Sequence, residues 1–280
     1  MNYKLIRENS LYYASLSRYF ENEIFKLIKK KKISFPVYFS AGQEYIASTI
    51  AAIFKFKKIK PMLFGQHRGH SIYVAFGGDL KKLALEFFGS KNGCTYGMGG
   101  SLSLHSKRIK MYGHDGFMGS NVCFGAGMSF ATKKPSIIFI GDAAFEEDYV
   151  LATISWMAKK NIPCLIVVED NNFAITTSKK ERRDWKVKDI AKAFKIEAYE
   201  FKDDPVLIYK NLKNYSFDKP RILNIHTSRL YWHTGAGIDD NKIFDRLKYE
   251  IKKNGKIGNM LNIKALNKIK NIFNKINNEK

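Results

Sequence analysis

Residues 136–171 read SIIFIGDAAFEEDYVLATISWMAKKNIPCLIVVEDN, and this stretch decides the fold. Two short apolar runs, at 137–140 and 165–168, flank a segment at roughly 147–159 that has the length of a helix. A short apolar strand at each end of a helix is typical of a β-α-β unit, in which a right-handed crossover joins two parallel strands. We therefore predict an α/β fold with a doubly wound, mostly parallel sheet flanked by helices.

The pattern outside this unit extends the prediction. Further strands are expected at 61–64 and 222–225, and helices at 8–30, 43–54, 79–88, 120–132 and 263–276. We divide the chain into an N-terminal helical segment (1–34), an α/β domain (35–245) and a basic C-terminal helical tail (246–280). The apolar side of the tail helix is expected to pack on this chain or on a neighbour.

Residues 91–119 differ from the rest because they contain seven glycines and few helix-forming residues. A loop of this length inside a compact domain is usually functional or disordered. Clustered glycines also let the backbone approach a ligand closely. Both a ligand-binding loop and a flexible surface loop fit this segment.

The composition limits the possible functions. Hydrophobic residues make up 45% of the 280, enough for a sizeable core, and no apolar run is long enough to span a bilayer. Three cysteines without paired spacing indicate a reduced protein, for which we expect a cytoplasmic location.

The net charge of +22 raises the question of a nucleic-acid partner. The lysines are scattered from Lys4 to Lys280 without a nucleic-acid-binding motif, and the basic tracts at 29–32 and 179–183 are expected to lie between ordered segments. We therefore expect neither a nucleic-acid nor a membrane partner. An acidic partner subunit or a phosphorylated cofactor explains the charge equally well.

Two oxygen-bearing side chains follow the paired strands. Asp142 comes directly after the first strand, and Asn171 follows the second, 29 positions later. Ligands of open α/β sheets bind beyond the carboxyl ends of the strands. A carboxylate, an amide oxygen and a nearby main-chain carbonyl form an all-oxygen ligand set that suits Mg²⁺. The alternative is that both segments are simple turns.

Longer motifs surround these two residues. The run GDAA at 141–144 and the run EDNNF at 169–173 resemble the thiamine diphosphate motif that starts Gly-Asp-Gly and ends Asn-Asn. More closely, the chain resembles the alpha subunits of thiamine diphosphate-dependent 2-oxo acid dehydrogenases, the pyruvate dehydrogenase alpha-subunit-like family. Further matches occur in the same order at 42–44, 67–70, 97–101, 125–127 and 227–233.

The resemblance implies a role for each matching residue. Mg²⁺ would be bound by Asp142, by the side chain of Asn171 and by the main-chain carbonyl of Phe173. The implied cofactor-binding positions are His67, Arg68, Gly116, Met118, Gly141, Asp142, Ala143, Ala144, Asn171, Phe173 and His233. Among them Arg68 contacts the diphosphate, and His67 takes a position usually held by a tyrosine.

Two histidines are the catalytic candidates. The resemblance places His233 next to the active centre, where it could transfer a proton or steady a charged intermediate. The alternative is a histidine of a mobile loop. His70 is the second, weaker candidate.

The resemblance also implies partners. The cofactor does the carbon chemistry on a 2-oxo acid substrate, and a glutamate of a beta-type subunit activates it. We expect an α₂β₂ assembly, and a lipoyl acyltransferase is a further candidate partner. The chain itself has no second, pyrimidine-binding domain, so it is expected to be inactive alone.

Several positions depart from the family pattern. Ala143 replaces a glycine, Ala152 a glutamate and Ser103 a histidine, and the segment at 234–240 lacks the usual phosphorylatable loop. Three alternatives therefore stay open. One is a specialised biosynthetic 2-oxo acid decarboxylase in place of a dehydrogenase. The chain could be the N-terminal subunit of a split transketolase, or a non-catalytic scaffold subunit.

Overall fold

The computed structural model describes residues 3–234 and 243–278 and contains a six-stranded sheet in the order β2-β1-β3-β4-β8-β7. All neighbouring strands in it are parallel. The strands are β1 (Met62–Phe64), β2 (Met111–Tyr112), β3 (Ser136–Gly141), β4 (Cys164–Asp170), β7 (Glu197–Lys202) and β8 (Arg221–His226). A separate antiparallel hairpin consists of β5 (Phe173–Ala174) and β6 (Thr177–Ser178). The predicted parallel α/β sheet is confirmed.

Helices cover both faces of the sheet. They are α1 (Tyr3–Lys29), α2 (Glu44–Phe56), α3 (His70–Ala75), α4 (Leu80–Phe87), α5 (Ser120–Thr132), α6 (Asp148–Lys160), α7 (Lys179–Arg182), α8 (Val187–Ala193), α9 (Pro205–Leu212), α10 (Arg246–Lys253) and α11 (Gly255–Asn278). The predicted helix at 79–88 begins after Asp79, whose carboxylate caps it by accepting from the amides of Lys81 and Lys82.

The central strands are buried on both sides, and their residues alternate between two apolar clusters. Ile137 and Phe139 point to the face covered by α1, α2 and α3, whereas Ile138 and Ile140 point to the face covered by α5 and α6. Successive side chains of a strand point to opposite faces, so a continuous apolar run supplies both clusters.

Close contact between α5 and the sheet depends on a glycine. A Cβ atom on Gly125 would lie 2.6 Å from side-chain atoms of Ile138 on β3. Two residues later on the same helix, a Cβ on Gly127 would meet no atom within 4 Å. The small-residue pattern of 120–132 therefore serves helix–sheet packing at Gly125 and not at Gly127.

The two terminal segments pack on the same core as the sheet. Phe20 of α1 and Phe273 of α11 lie with their ring centroids 5.7 Å apart, and both belong to the apolar cluster that includes Phe139. The tail helix thus packs on this chain, one of the two packing sites predicted for it. The three-part division of the chain remains a prediction.

Within 3–234 and 243–278, no helix combines the length and the apolar composition that crossing a membrane requires.

Substitutions at the two glycines of α5 should have opposite effects on stability. Gly127→Ala should raise the free energy of unfolding by about 0.5–1 kcal/mol, because alanine favours the helix and meets no obstacle. Gly125→Ala should lower it by about 1–3 kcal/mol, because the added methyl group displaces Ile138. Urea denaturation of the two variants provides the measurement, and equal effects at both positions would contradict the packing assigned to Gly125.

Candidate functional site

The site lies at the carboxyl edge of the sheet, where the pairing of β3 with β4 sets its geometry. Gly141 pairs with Glu169 across the two strands, so the next residues, Asp142 and Asp170, end neighbouring strands side by side. Asn171 follows directly. The strand tips predicted to share a cation are therefore adjacent.

Asp142 is a buried carboxylate with a cationic partner. It is 1% exposed, and its Oδ2 accepts from Nη2 of Arg182 at 2.6 Å. Burial and the neighbouring Asp170 carboxylate raise the pKa of Asp142 to about 6, although Arg182 opposes this shift. Two buried carboxylates side by side at these strand tips would favour a cation between them.

Asp170 is held ionised by its neighbours. Its Oδ2 accepts from Nζ of Lys179 at 2.6 Å and from Nδ2 of Asn224 at 3.3 Å, and it lies 3.2 Å from Nδ1 of His226. Burial alone would raise the pKa of Asp170, but the hydrogen bonds from His226 and Lys179 outweigh it and lower that pKa. Asp170 thus adds a fixed negative charge next to Asp142.

The amide of Asn171 is oriented by two hydrogen bonds. Its Nδ2 donates to Oε1 of Gln43 at 2.8 Å, and its Oδ1 accepts from the main-chain N–H of Phe173 at 3.2 Å. An amide oxygen has two lone pairs, so Oδ1 keeps one for a further partner. Gln43, which the sequence analysis included in the matching segment 42–44 without giving it a role, therefore positions a predicted metal ligand.

The basic tract at 179–183 was expected to lie between ordered segments, and this prediction was wrong. Residues Lys179–Arg182 form the short helix α7, which begins at a capping box between Ser178 and Glu181. Within the tract, Lys179 forms an ion pair with Asp170, and Arg182 forms one with Asp142. Arg183 Nε lies 3.2 Å from Glu146 Oε1. Local charge pairing with buried acids orders it.

Arg68 follows β1, which pairs with β3 on the side opposite β4. It is 2% exposed, and its Nη1 donates to the main-chain oxygen of Phe39 at 2.9 Å. Its Nη2 lies 3.2 Å from Nδ1 of His233. This contact requires an unprotonated Nδ1 on His233 and leaves the ring proton on Nε2. The structure thus brings together the predicted diphosphate contact and the predicted catalytic histidine.

Three histidine rings and a tyrosine form an aromatic group beside Arg68. The ring of His67 lies 5.2 Å from that of Tyr38, 5.6 Å from that of His233 and 6.1 Å from that of His114. Burial, and then the charge of Arg68, lowers the pKa of His67 well below its usual value. His67 is therefore neutral at physiological pH.

His114 is a site residue that the sequence analysis missed. It is 2% exposed, and burial lowers its pKa, so this ring too is neutral at physiological pH. Its Nδ1 accepts from the main-chain N–H of Gly116 at 2.9 Å. The signal available in the sequence was its position in the glycine-rich loop, flanked by Gly113 and Gly116.

The other predicted positions of the loop and of the β3 tip lie around the same crevice. Gly116 adopts a φ of +96°, which favours glycine, and the main-chain oxygen of Met118 accepts a hydrogen bond from the hydroxyl of Tyr149. Gly141, Ala143 and Ala144 are half-buried and continue from β3 into a 3₁₀ turn. The segment at 235–240, which departs from the family pattern, lies outside the described residues.

His70 is the one predicted residue that the structure places away from the crevice. It is fully buried, with Nδ1 2.7 Å from Oε1 of Glu21 and Nε2 2.9 Å from Oγ of Ser101. Oε1 of Glu21 also accepts from the main-chain N–H and the hydroxyl of Ser40. This network joins α1, α3 and the glycine-rich loop, so the geometry favours a structural function for His70.

Glu86 organises the glycine-rich loop and was also missed. Its carboxylate accepts four main-chain N–H groups, from Thr95 at 2.8 Å, Gly97 at 3.0 Å, Gly99 at 2.9 Å and Gly100 at 3.2 Å. Burial opposes ionisation of Glu86, but these hydrogen bonds lower its pKa. A buried carboxylate thus replaces regular secondary structure as the partner of the loop backbone.

The donor set fits a hard divalent cation. The carboxylate of Asp142 and the amide oxygen of Asn171 lie at neighbouring strand tips, and the main chain of Phe173 follows two residues later. In 3–234 and 243–278, no three His, Cys, Asp or Glu side chains group as a metal site. The predicted set requires only one such side chain, and oxygen donors of mixed type suit Mg²⁺.

Comparison with known proteins identifies the family. A family profile described as "Dehydrogenase E1 component" matches residues 12–261. The chain belongs to this family. The resemblance to alpha subunits of 2-oxo acid dehydrogenases is thereby confirmed.

Individual relatives agree with this assignment. The chain is 29% identical over 168 residues to "Pyruvate dehydrogenase E1 component subunit alpha" of Rickettsia prowazekii (strain Madrid E), covering 58% of this chain and 51% of the relative. It is 28% identical over 234 residues to the mitochondrial alpha-1 subunit of Arabidopsis thaliana, covering 79% of this chain and 58% of the relative. The matched region thus spans little more than half of these relatives.

The fold also resembles that of solved transketolases. The Campylobacter jejuni enzyme has a TM-score of 0.61 and 16% identity, covering 96% of this chain and 49% of that chain. At this identity the likeness supports the fold and not the reaction.

Removing the guanidinium of Arg182 should destabilise the chain in a pH-dependent way. Arg182→Ala should lower the free energy of unfolding by about 3 kcal/mol at pH 8, where it leaves an ionised Asp142 buried without its partner. The loss should be smaller at pH 5, below the pKa of about 6, because a protonated Asp142 has less need of the cation.

Urea denaturation at the two pH values measures this difference. Lys180→Ala is the matched control, because Lys180 belongs to the same helix and is exposed. An Arg182→Ala loss that did not depend on pH would contradict the assigned pairing with Asp142.

Proposed function

We propose that the chain is the alpha subunit of a thiamine diphosphate-dependent 2-oxo acid dehydrogenase and that it binds the diphosphate–Mg²⁺ part of the cofactor. The observation that carries the proposal is the β3–β4 register, which sets Asp142 and Asn171 at neighbouring strand tips. Membership of the dehydrogenase E1 component family supports it. The expected cytoplasmic location stays a prediction.

The metal would be held by three oxygen donors. These are the carboxylate of Asp142, Oδ1 of Asn171 and the main-chain carbonyl of Phe173. Because Arg182 lies 2.6 Å from Oδ2 of Asp142, its guanidinium would have to share or release that carboxylate when Mg²⁺ binds. Arg182 would thus neutralise the Asp142 carboxylate before the metal binds, and the metal would neutralise it afterwards.

The diphosphate would lie between Arg68 and the β3 tip. The guanidinium of Arg68 supplies positive charge, and the half-buried Gly141, Ala143 and Ala144 leave room along the backbone. Gly116 and Met118 would meet the aminopyrimidine. When bound, thiamine diphosphate supplies the electron sink for loss of CO₂ from a 2-oxo acid.

His233 is the proposed proton-transfer residue. The contact with Arg68 directs Nδ1 of its ring toward the guanidinium, which leaves Nε2–H as a donor. Burial and the charge of Arg68 lower the pKa of the neighbouring His67, so the ring beside His233 is neutral. A positioned imidazole of this kind is suited to general acid–base work.

A beta-type subunit is the proposed partner. Aromatic side chains of α5 and α6 are exposed, with Phe124 57%, Phe130 40% and Trp156 37% accessible, and the ring centroids of Phe130 and Trp156 lie 5.1 Å apart. Beside the crevice, Ile175 of the β5–β6 hairpin is 59% exposed. Contiguous apolar surface is typical of protein interfaces. We propose that this surface meets the subunit that supplies the activating glutamate, in an α₂β₂ assembly that a lipoyl acyltransferase could join.

One observation favours the scaffold alternative. Arg182 already neutralises Asp142, as a residue would in a subunit that had lost its metal. Cofactor binding distinguishes the two functions, because a scaffold subunit would not bind thiamine diphosphate in an Mg²⁺-dependent way. No comparable observation favours the split transketolase.

Thiamine diphosphate binding by the chain with its partner should require both Mg²⁺ and Asp142. Asp142→Ala should weaken Mg²⁺-dependent binding beyond the roughly 10–100-fold typical of losing an outer-shell partner of a metal. Calorimetric titration with and without Mg²⁺ measures this. Asp148→Ala is the control, because Asp148 is an exposed acid in the first turn of α6. Equal affinities for wild type and Asp142→Ala would rule out the metal site.

Decarboxylation should appear only when the chain is mixed with a beta-type subunit. With thiamine diphosphate and Mg²⁺ present, release of CO₂ from 2-oxo acids should exceed that of either subunit alone, because the crevice needs the partner's glutamate. Ketol transfer between sugar phosphates should stay at background. The reverse pattern would identify a transketolase, and full activity from the isolated chain would contradict the two-subunit proposal.

A further inference from the structure

A second concave site lies at the edge of the sheet opposite the crevice. The amino ends of β1 and β2 open into a cavity of about 480 Å³. The last turns of α2 and α3 and the 3₁₀ turn Lys107–Ile109 complete its wall. Strands β1, β3 and β4 are parallel, so the cavity and the crevice are at opposite ends of the same sheet.

The cavity has an apolar floor. Phe54 and Pro61 are buried, and Tyr13, Ile59 and Phe76 are half-buried. These side chains offer both aromatic and aliphatic surface. A volume of this size falls in the range of about 300–1,000 Å³ that is usual for small-molecule sites.

The rim of the cavity is strongly cationic. Five exposed basic residues line it, namely Lys55, Lys58, Lys60, Arg108 and Lys110, and no acidic residue does. Across the described ranges none of these five forms an ion pair, although the ammonium of Lys55 lies 5.9 Å from the centroid of the Tyr13 ring. By contrast, the cations at the carboxyl edge pair with buried acids.

A structural explanation accounts for only part of this charge. Lys55 lies in the last turn of α2, where the helix dipole favours a cation. Lys60 and Lys110 lie just before strands β1 and β2, so no such dipole explains them. Cations that form no ion pair with the described residues and that surround an apolar floor are suited to an anionic ligand with an apolar body.

We propose that this cavity binds a small organic anion that combines an aromatic or aliphatic body with a phosphate or carboxylate head group. The body would lie on Phe54, Ile59 and Phe76. The head group would be bound by Lys58, Lys60 and Arg108 at the rim. The site is separate from the diphosphate crevice and does not depend on the function proposed for it.

Calorimetric titration of the full chain with 1-naphthyl phosphate tests the proposal. Wild type should bind this probe at least about ten-fold more tightly than inorganic phosphate or 1-naphthol, because only the probe uses both the rim and the floor. Equal binding of inorganic phosphate would mean that the apolar floor contributes nothing, and the proposal would be wrong.

Paired variants locate the bound probe. Lys58→Ala/Arg108→Ala should weaken binding of 1-naphthyl phosphate at least about ten-fold. The matched control Lys188→Ala/Lys192→Ala removes the same charge from exposed positions of α8, outside the cavity, and should leave the affinity unchanged. All four substitutions remove exposed side chains, so folding should be retained. Unchanged binding in the Lys58/Arg108 variant would place the probe elsewhere, for example in the diphosphate crevice, and would overturn the proposal.

Discussion

The parallel pairing of β3 with β4 is the constraint on which the rest of the structure depends. Both strands are apolar and buried on both faces, so their register is fixed by packing against helices on either side. That register ends the two strands together, and the chain emerges from it with acids at adjacent positions. Asp142 and Asp170 are therefore buried side by side at one edge, where positive charge nearby is needed to stabilise their ionised forms.

The surrounding residues stabilise the ionised forms of the buried acids to different extents. Lys179 and His226 keep Asp170 ionised, and Arg182 offsets part of the burial of Asp142. Glu169 differs because a neutral amide, that of Gln66, donates to it, and burial raises its pKa to about 8. The crevice therefore contains a permanent carboxylate, a carboxylate that titrates near pH 6 and an acid that is largely protonated at neutral pH.

The two edges of the sheet use the basic composition differently. At the carboxyl edge, cations pair with buried acids, and two of these cations belong to the short helix α7, whose first turn is capped by Ser178. At the amino edge, exposed cations surround an apolar cavity and form no ion pair within the part of the chain that the structure describes. Helix α2 runs between the edges, from Gln43 beside Asn171 to Lys55 at the cavity. The five exposed cations at the cavity contribute to the net charge of +22, whereas the cations that pair with Asp142 and Asp170 do not.

Short-range patterns in the sequence determined the parallel α/β architecture and the placement of Asp142 and Asn171, the proposed metal ligands, at neighbouring strand ends. Apolar runs of strand length around a helix identify a β-α-β unit, and polar residues at strand ends must fall at one edge of the sheet. The same reasoning found α5 with its bounds at 120–132. It did not find β7, whose alternating charged and aromatic residues form a half-buried edge strand.

Only the tertiary structure decided which distant residues share the site. Arg182 reaches Asp142 across 40 positions, Arg68 reaches His233 across 165, and Gln43 reaches Asn171 across 128. The burial of His70 with Glu21 is equally non-local. Local periodicity in the sequence does not predict such contacts, because they form when strands and loops from separate parts of the chain pack together. Local sequence therefore specified the strands and their polar ends, and packing chose the partners of those ends.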